Sequence, residues 1–94
     1  MVEKQKCRLV LPEELTVFSI EEVRESLLKK TNNSSKVELD FQEVEVIDGA
    51  GLQLLISLKK CELKDGLQLS LINVSKSVEK LLNSTGIGNL LGVN

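Results

Sequence analysis

Three observations predict an α/β fold, a small mixed β-sheet with helices packed mainly on one face. Short alternating segments stand where strands belong. Longer apolar-periodic segments stand between them. In the second half of the 94-residue chain the two kinds alternate, which implies parallel pairing through crossover helices. The element order is strand, strand, helix, strand, helix, strand, helix. No repeat, low-complexity tract or Pro/Gly-rich linker divides it, so residues 1–94 read as one domain.

Cys7-Arg8-Leu9-Val10-Leu11 alternates as a half-buried strand does. Pro12 lacks the N–H a ladder needs and belongs at the turn that follows. Leu15-Thr16-Val17 reads as a second short strand. Ser19, with Glu22 three residues on, has the spacing of a capping box. It predicts a helix over 20–30 with Ile20, Val23, Leu27 and Leu28 as its apolar stripe. The polar run Thr31-Asn32-Asn33-Ser34-Ser35 is expected as a loop.

Val37-Glu38-Leu39-Asp40-Phe41 alternates again, and Val44 to Ile47 forms a further extended piece leading into Asp48. A long apolar helix then runs to about Lys64, ended by Asp65-Gly66. Leu67 to Ile72 is a strand. Ser75 caps a third helix with Val78, Leu81 and Leu82 facing inward, Gly86 stops it, and Ile87 to Leu91 forms a short terminal turn or helix.

Composition excludes several kinds of function. Apolar residues make up 41% and charged residues 28%, a globular rather than a disordered balance. The net charge of −2 argues against non-specific nucleic-acid binding and a polybasic membrane anchor. There is no His, the usual neutral-pH base and commonest metal ligand. With no Trp or Tyr there is no platform for stacking bases. Cys7 and Cys61 are far apart in sequence and are expected as buried thiols in a reducing compartment. No run is long enough to span a bilayer, and the N-terminus lacks an apolar leader core. The expectation from these features is a cytoplasmic, non-catalytic chain without membrane insertion, metal or cofactor. Asp40, Glu45 and Asp48 lack a positioned base, nucleophile or phosphate loop around them.

The most unusual segment is Ile47-Asp48-Gly49-Ala50-Gly51-Leu52. Asp48 ends a strand and is placed to cap the helix by accepting from the N–H of Ala50 or Gly51. Gly, Ala and Gly at the first helical positions leave an almost bare backbone. Two readings fit: a turn that must seat tightly on the sheet, or a surface that admits an anion or a partner's backbone. The helix beyond is apolar on more than one side. At ~100° per residue, Leu52, Ile56 and Leu63 share one side, and Leu54, Leu58 and Cys61 share roughly the opposite one. Gln53, Ser57, Lys60 and Lys64 form the clean polar stripe.

In ordered combination these features resemble the STAS domain, the fold of anti-sigma factor antagonists. The resemblance rests on Val37 to Phe41, Val44 to Ile47, Asp48-x-x-Gly51 with Leu52-x-x-Leu55, Leu67 to Asn73, Ser75 to Leu82, and Ser84-Thr85-Gly86-Ile87 followed by Leu90-Leu91. It implies a sheet with helices packed on it and a role in binding other proteins. In the phospho-regulated members two hydroxyl residues stand between the Asp and the Gly. A kinase phosphorylates the second, adding about −1.5 to −2 charges at the helix start. Here those positions are Gly49 and Ala50, neither with a hydroxyl. The resemblance therefore implies a constitutive partner-binding module of bacterial signalling, with no phosphorylation at the usual acceptor position, Ala50. Its expected contact residues are Asp48, Gly49, Ala50, Gly51, Gln53, Ser57 and Lys60. The implied partner is a kinase-like anti-sigma factor or a chemosensory protein. The alternative is the ATPase of a phospholipid-trafficking ABC transporter, served by a small STAS subunit. Surplus apolar surface on the helix allows a monomer or a weak dimer.

Overall fold

The computed structural model describes residues 5–31, 34–65 and 68–88. Its elements are β1 (Gln5–Val10), β2 (Glu14–Leu15), α1 (Ile20–Thr31), β3 (Ser34–Asp40), β4 (Val46–Ile47), α2 (Gly49–Asp65), β5 (Gln68–Ile72) and α3 (Lys76–Ser84). The α/β class and the order of the elements match the expectation. Every strand pairing among the described residues is parallel, where a mixed sheet was expected: β1–β3–β5 form one sheet and β2–β4 a short second ladder. A helix-bearing connection separates the two strands of each pair, as parallel pairing requires.

The main sheet obeys the two-residue alternation of its sequence. Leu9, Val37 and Leu39 are buried, with Cys7, Leu69 and Leu71 packed beside them. Arg8, Lys36, Gln68 and Ser70 lie exposed on the opposite face. Ile20, Val23 and Leu27 of α1 and Leu54, Leu55 and Leu58 of α2 join the same core, and the two helices also touch each other. Phe41, Leu11 and Leu15, all almost fully enclosed, close it at the carboxyl ends of the strands. Ser75 accepts a hydrogen bond from the Val78 N–H at 3.2 Å, the predicted cap of α3. Val78 and Leu82 face inward, with Leu81 partly buried. Thr85 and Gly86 end that helix, Gly86 at a φ of 80° that favours glycine.

Several local expectations change. Leu28 is 65% exposed, because one residue beyond Leu27 it is rotated about 100° off the buried stripe. Cys61 is exposed and Cys7 half-buried, so neither is a fully enclosed thiol. On α2 the side carrying Leu54 and Leu58 is buried, with Leu55 beside it, while Leu52 and Ile56 remain half-buried. The strand expected over Leu15-Thr16-Val17 shortens to Glu14–Leu15. Ser34 and Ser35, read as loop, begin β3, and α1 continues to Thr31. Asn32, Asn33, Gly66, Leu67 and residues 89–91 lie outside the described residues.

The cap of α1 is also reassigned. Ser19 does not accept from Glu22. Its Oγ instead accepts from the Thr16 N–H at 3.1 Å and donates to the Glu14 carbonyl. The Thr16 carbonyl accepts from the Ser19 and Ile20 N–H groups, and its Oγ1 accepts from the Phe18 N–H at 3.3 Å. Thr16 and Ser19 thus make a reciprocal cap one turn earlier than the capping-box spacing suggested. The tight turn between them lifts Val17 and Phe18 to the surface, where they are 60% and 91% exposed.

Candidate functional site

The β2–β4 ladder leads directly into the start of α2. Glu14 is paired with Val46 and Leu15 with Ile47, and the Asp48 N–H continues the ladder to the Leu15 carbonyl at 3.3 Å. Leu15 and Ile47 point into the core, so Glu14 and Val46 point outward. Asp48 therefore arrives at the surface end of the ladder, half-buried, and its carboxylate has three N–H partners. Oδ1 accepts from Ala50 at 2.9 Å and from Gly51 at 3.2 Å, and Oδ2 accepts from Val17 at 3.0 Å. The Val17 bond, joined by those from Gly51 and Ala50, holds the carboxyl below the usual carboxylate range against the opposing cost of partial burial. The Asp48 carbonyl accepts from Leu52, closing the first turn of α2.

Both readings of the bare corner have a place in this geometry. Gly51 is the seating residue: a Cβ there would stand 2.2 Å from the Leu15 carbonyl oxygen and 2.9 Å from Ile47 Cγ2. Gly49 is the open one, exposed, with nothing within 4 Å of a Cβ at its position. Ala50 is half-buried between them. The expected Asp48 cap forms and occupies the Ala50 and Gly51 N–H groups, so those two are not available to an anion.

Gln53, Ser57 and Lys60 are all exposed and continue from the corner along α2. Ser57 Oγ donates to the Gln53 carbonyl at 3.0 Å, an ordinary back-bond of a solvent-facing helix residue. Lys59 turns aside to pair with Glu62, whose other oxygen accepts from the Leu69 N–H at 2.8 Å and ties the end of α2 to β5. Six of the seven expected contact residues reach the surface around the start and outer side of α2; Gly51, also expected as a contact, is instead buried against Leu15 and Ile47 and presents nothing to a partner. Sequence reading missed Val17 and Phe18. The available signal was the Thr16-x-x-Ser19 spacing, which places both in a turn rather than in a strand.

The other carboxylate considered for chemistry, Asp40, is almost fully buried at the end of β3. Arg8 donates to its Oδ2 through Nε and Nη2; Asn73 Nδ2 and the Gln42 N–H donate to its Oδ1. Arg8 above all, then Asn73 and Gln42, holds this carboxyl below its ordinary range. Asn73 adopts a φ of 56° to reach it. The network joins β1, β3 and the residue after β5, and it is a structural junction. No group of three or more Cys, Asp or Glu side chains among the described residues is placed to hold a metal ion.

Residues 2–92 match the family model described as "Mlab, STAS domain", and the chain belongs to that family. No curated protein matches it significantly. Among solved structures, the sulfate transporter family protein from Wolinella succinogenes superimposes with a TM-score of 0.79 at 23% identity, covering 93% of this chain and 71% of that one. The murine Solute Carrier 26 family member A9 anion transporter, in its inward-facing state, gives a TM-score of 0.74 at 22% identity over 87% of this chain. This chain spans 14% of that transporter's length. At these identities the likeness is one of fold. No described helix is long and apolar enough to cross a membrane.

Proposed function

We propose that this chain is a non-catalytic docking module that binds a protein partner through the start and exposed side of α2. Asp48, Gly49, Ala50, Gln53, Ser57 and Lys60 form the contact strip, and Gly51 holds it against the ladder. One observation carries the reading: a helix start locked by Asp48 displays an exposed glycine and a half-buried alanine where phospho-regulated relatives carry hydroxyls. With no acceptor oxygen there, the contact is constitutive.

The signalling reading makes the partner a kinase-like anti-sigma factor or a chemosensory protein. The transport reading makes it the ATPase of a lipid-trafficking ABC transporter, and the matching family's description supports it. Titration calorimetry against purified candidates of each class tests both. The productive partner should lose at least about tenfold in affinity to the variant Ala50→Glu, which sets a carboxylate on the strip. Undiminished binding by that variant would place the interface elsewhere.

A further inference from the structure

Beside the α2 strip lies a ridge that the family resemblance did not point to. Three of the large apolar side chains that stand exposed, Val17, Phe18 and Val46, belong to the β2–β4 ladder and the turn it leads into, at 60%, 91% and 49% exposure. The ladder fixes their neighbours. Glu14 stands opposite Val46, and the Glu13 carbonyl accepts from the N–H groups of Glu45 and Val46 at 2.8 and 3.1 Å. Glu13, Glu14 and Glu45 are all exposed, and none has an ion-pair partner among the described residues. The surrounding sequence deepens the asymmetry: residues 9–23 and 37–58 contain no Lys or Arg, although the chain has 12.

The backbone that carries this almost wholly exposed ring is fastened by Thr16, Ser19 and Asp48, so docking the ring orders a side chain but no loop. We propose that this ridge docks a partner protein offering an apolar socket for Phe18, rimmed by lysine or arginine that meets Glu13, Glu14 and Glu45. The proposal rests on the reading of the chain as a docking module and names the chemistry of its partner. A second copy meeting this one ridge to ridge would set like charges against each other. An anionic membrane would repel the carboxylates while taking up the phenyl ring.

The test pans a random 12-residue peptide library on the intact chain, then titrates the selected peptides by fluorescence anisotropy. Expected sequences combine an aromatic or leucine with several Arg or Lys. Phe18→Ser should weaken them about tenfold or more without moving the melting temperature, since the ring contacts little. Glu14→Lys with Glu45→Lys should weaken them at least about threefold and flatten the salt dependence. The proposal is overturned if no basic apolar sequences emerge, or if Phe18→Ser binds undiminished. Phe18-dependent binding to anionic vesicles, or Phe18-dependent dimerisation in sedimentation, overturns it equally. Ala50→Glu separates it from the α2 reading. Loss with that variant alone sinks the ridge and keeps the strip. Loss with Phe18→Ser alone keeps the ridge and sinks the strip. Indifference to both sinks both.

Discussion

Two parallel ladders in this chain end on an aspartate, and the two ends have opposite fates. Asp40 finishes β3 beneath the exposed Arg8 and is itself almost fully enclosed, with both oxygens engaged by Arg8 of β1, the Gln42 N–H just beyond β3 and Asn73 just beyond β5. Asp48 finishes β4 at the surface, with both oxygens engaged by backbone N–H groups of one turn and one helix start. Both carboxylates are satisfied and both titrate low. What differs is the material around them. At Asp40 the neighbours bury a polar junction inside the fold. At Asp48 they lift small and apolar residues into solvent. The same hydrogen-bond chemistry thus serves cohesion at one end and display at the other.

The sharpest way to break this contrast lies in the two glycines flanking Ala50. Gly51→Ala forces a methyl against the Leu15 carbonyl, which belongs to the backbone and cannot swing aside. Urea denaturation should show a loss of about 3 kcal/mol. Gly49→Ala, two residues earlier in open space, should instead stabilise by about 0.5 kcal/mol, by restricting the unfolded chain. Equal effects at the two sites would erase the distinction between seating and display.

Asp40→Asn should come next in size. It removes the charged acceptor that Arg8, Asn73 and the Gln42 N–H share at a buried junction, and thermal melting should register a clear fall. Peptide capture by the molecules that remain folded should be unchanged, because the junction's side-chain bonds run to Arg8, Gln42 and Asn73 and none runs to a ridge residue.

Asp48→Ala should give a smaller fall in melting temperature, with a pH signature. A carboxyl whose folded pKa is depressed adds stability above its unfolded value, near pH 4, and loses it as pH falls through the folded value. The gap between wild type and Asp48→Ala should be full at pH 7 and should close as the pH drops below about 4. A gap that stays constant to pH 2.5 would mean the carboxylate charge contributes nothing to the turn.

Much of this architecture was legible in the residue order. The alternation at Cys7 to Val10 and Val37 to Asp40, the Ser75 cap and the Asp48 cap all depend on groups a few residues apart, and each appears where its spacing puts it. The misplaced details have local competitors. Ser19 had two candidate partners within three residues and took the Thr16 N–H over that of Glu22. Leu28 and Cys61 looked inward by composition, but each helix buries only the face that meets the sheet or its neighbour, and both residues lie off it.

The sequence by itself determined the class of fold, the three helices and the absence of a hydroxyl between Asp48 and Gly51, because periodicity, capping chemistry and side-chain identity are properties of neighbours along the chain. Only the tertiary structure decided which glycine is sealed and which is open, that Asp48 reaches back to Val17, and that Phe18 stands in water beside glutamates without an ion-pair partner among the described residues. Those facts arise from segments about thirty residues apart in sequence, which the β2–β4 ladder sets side by side.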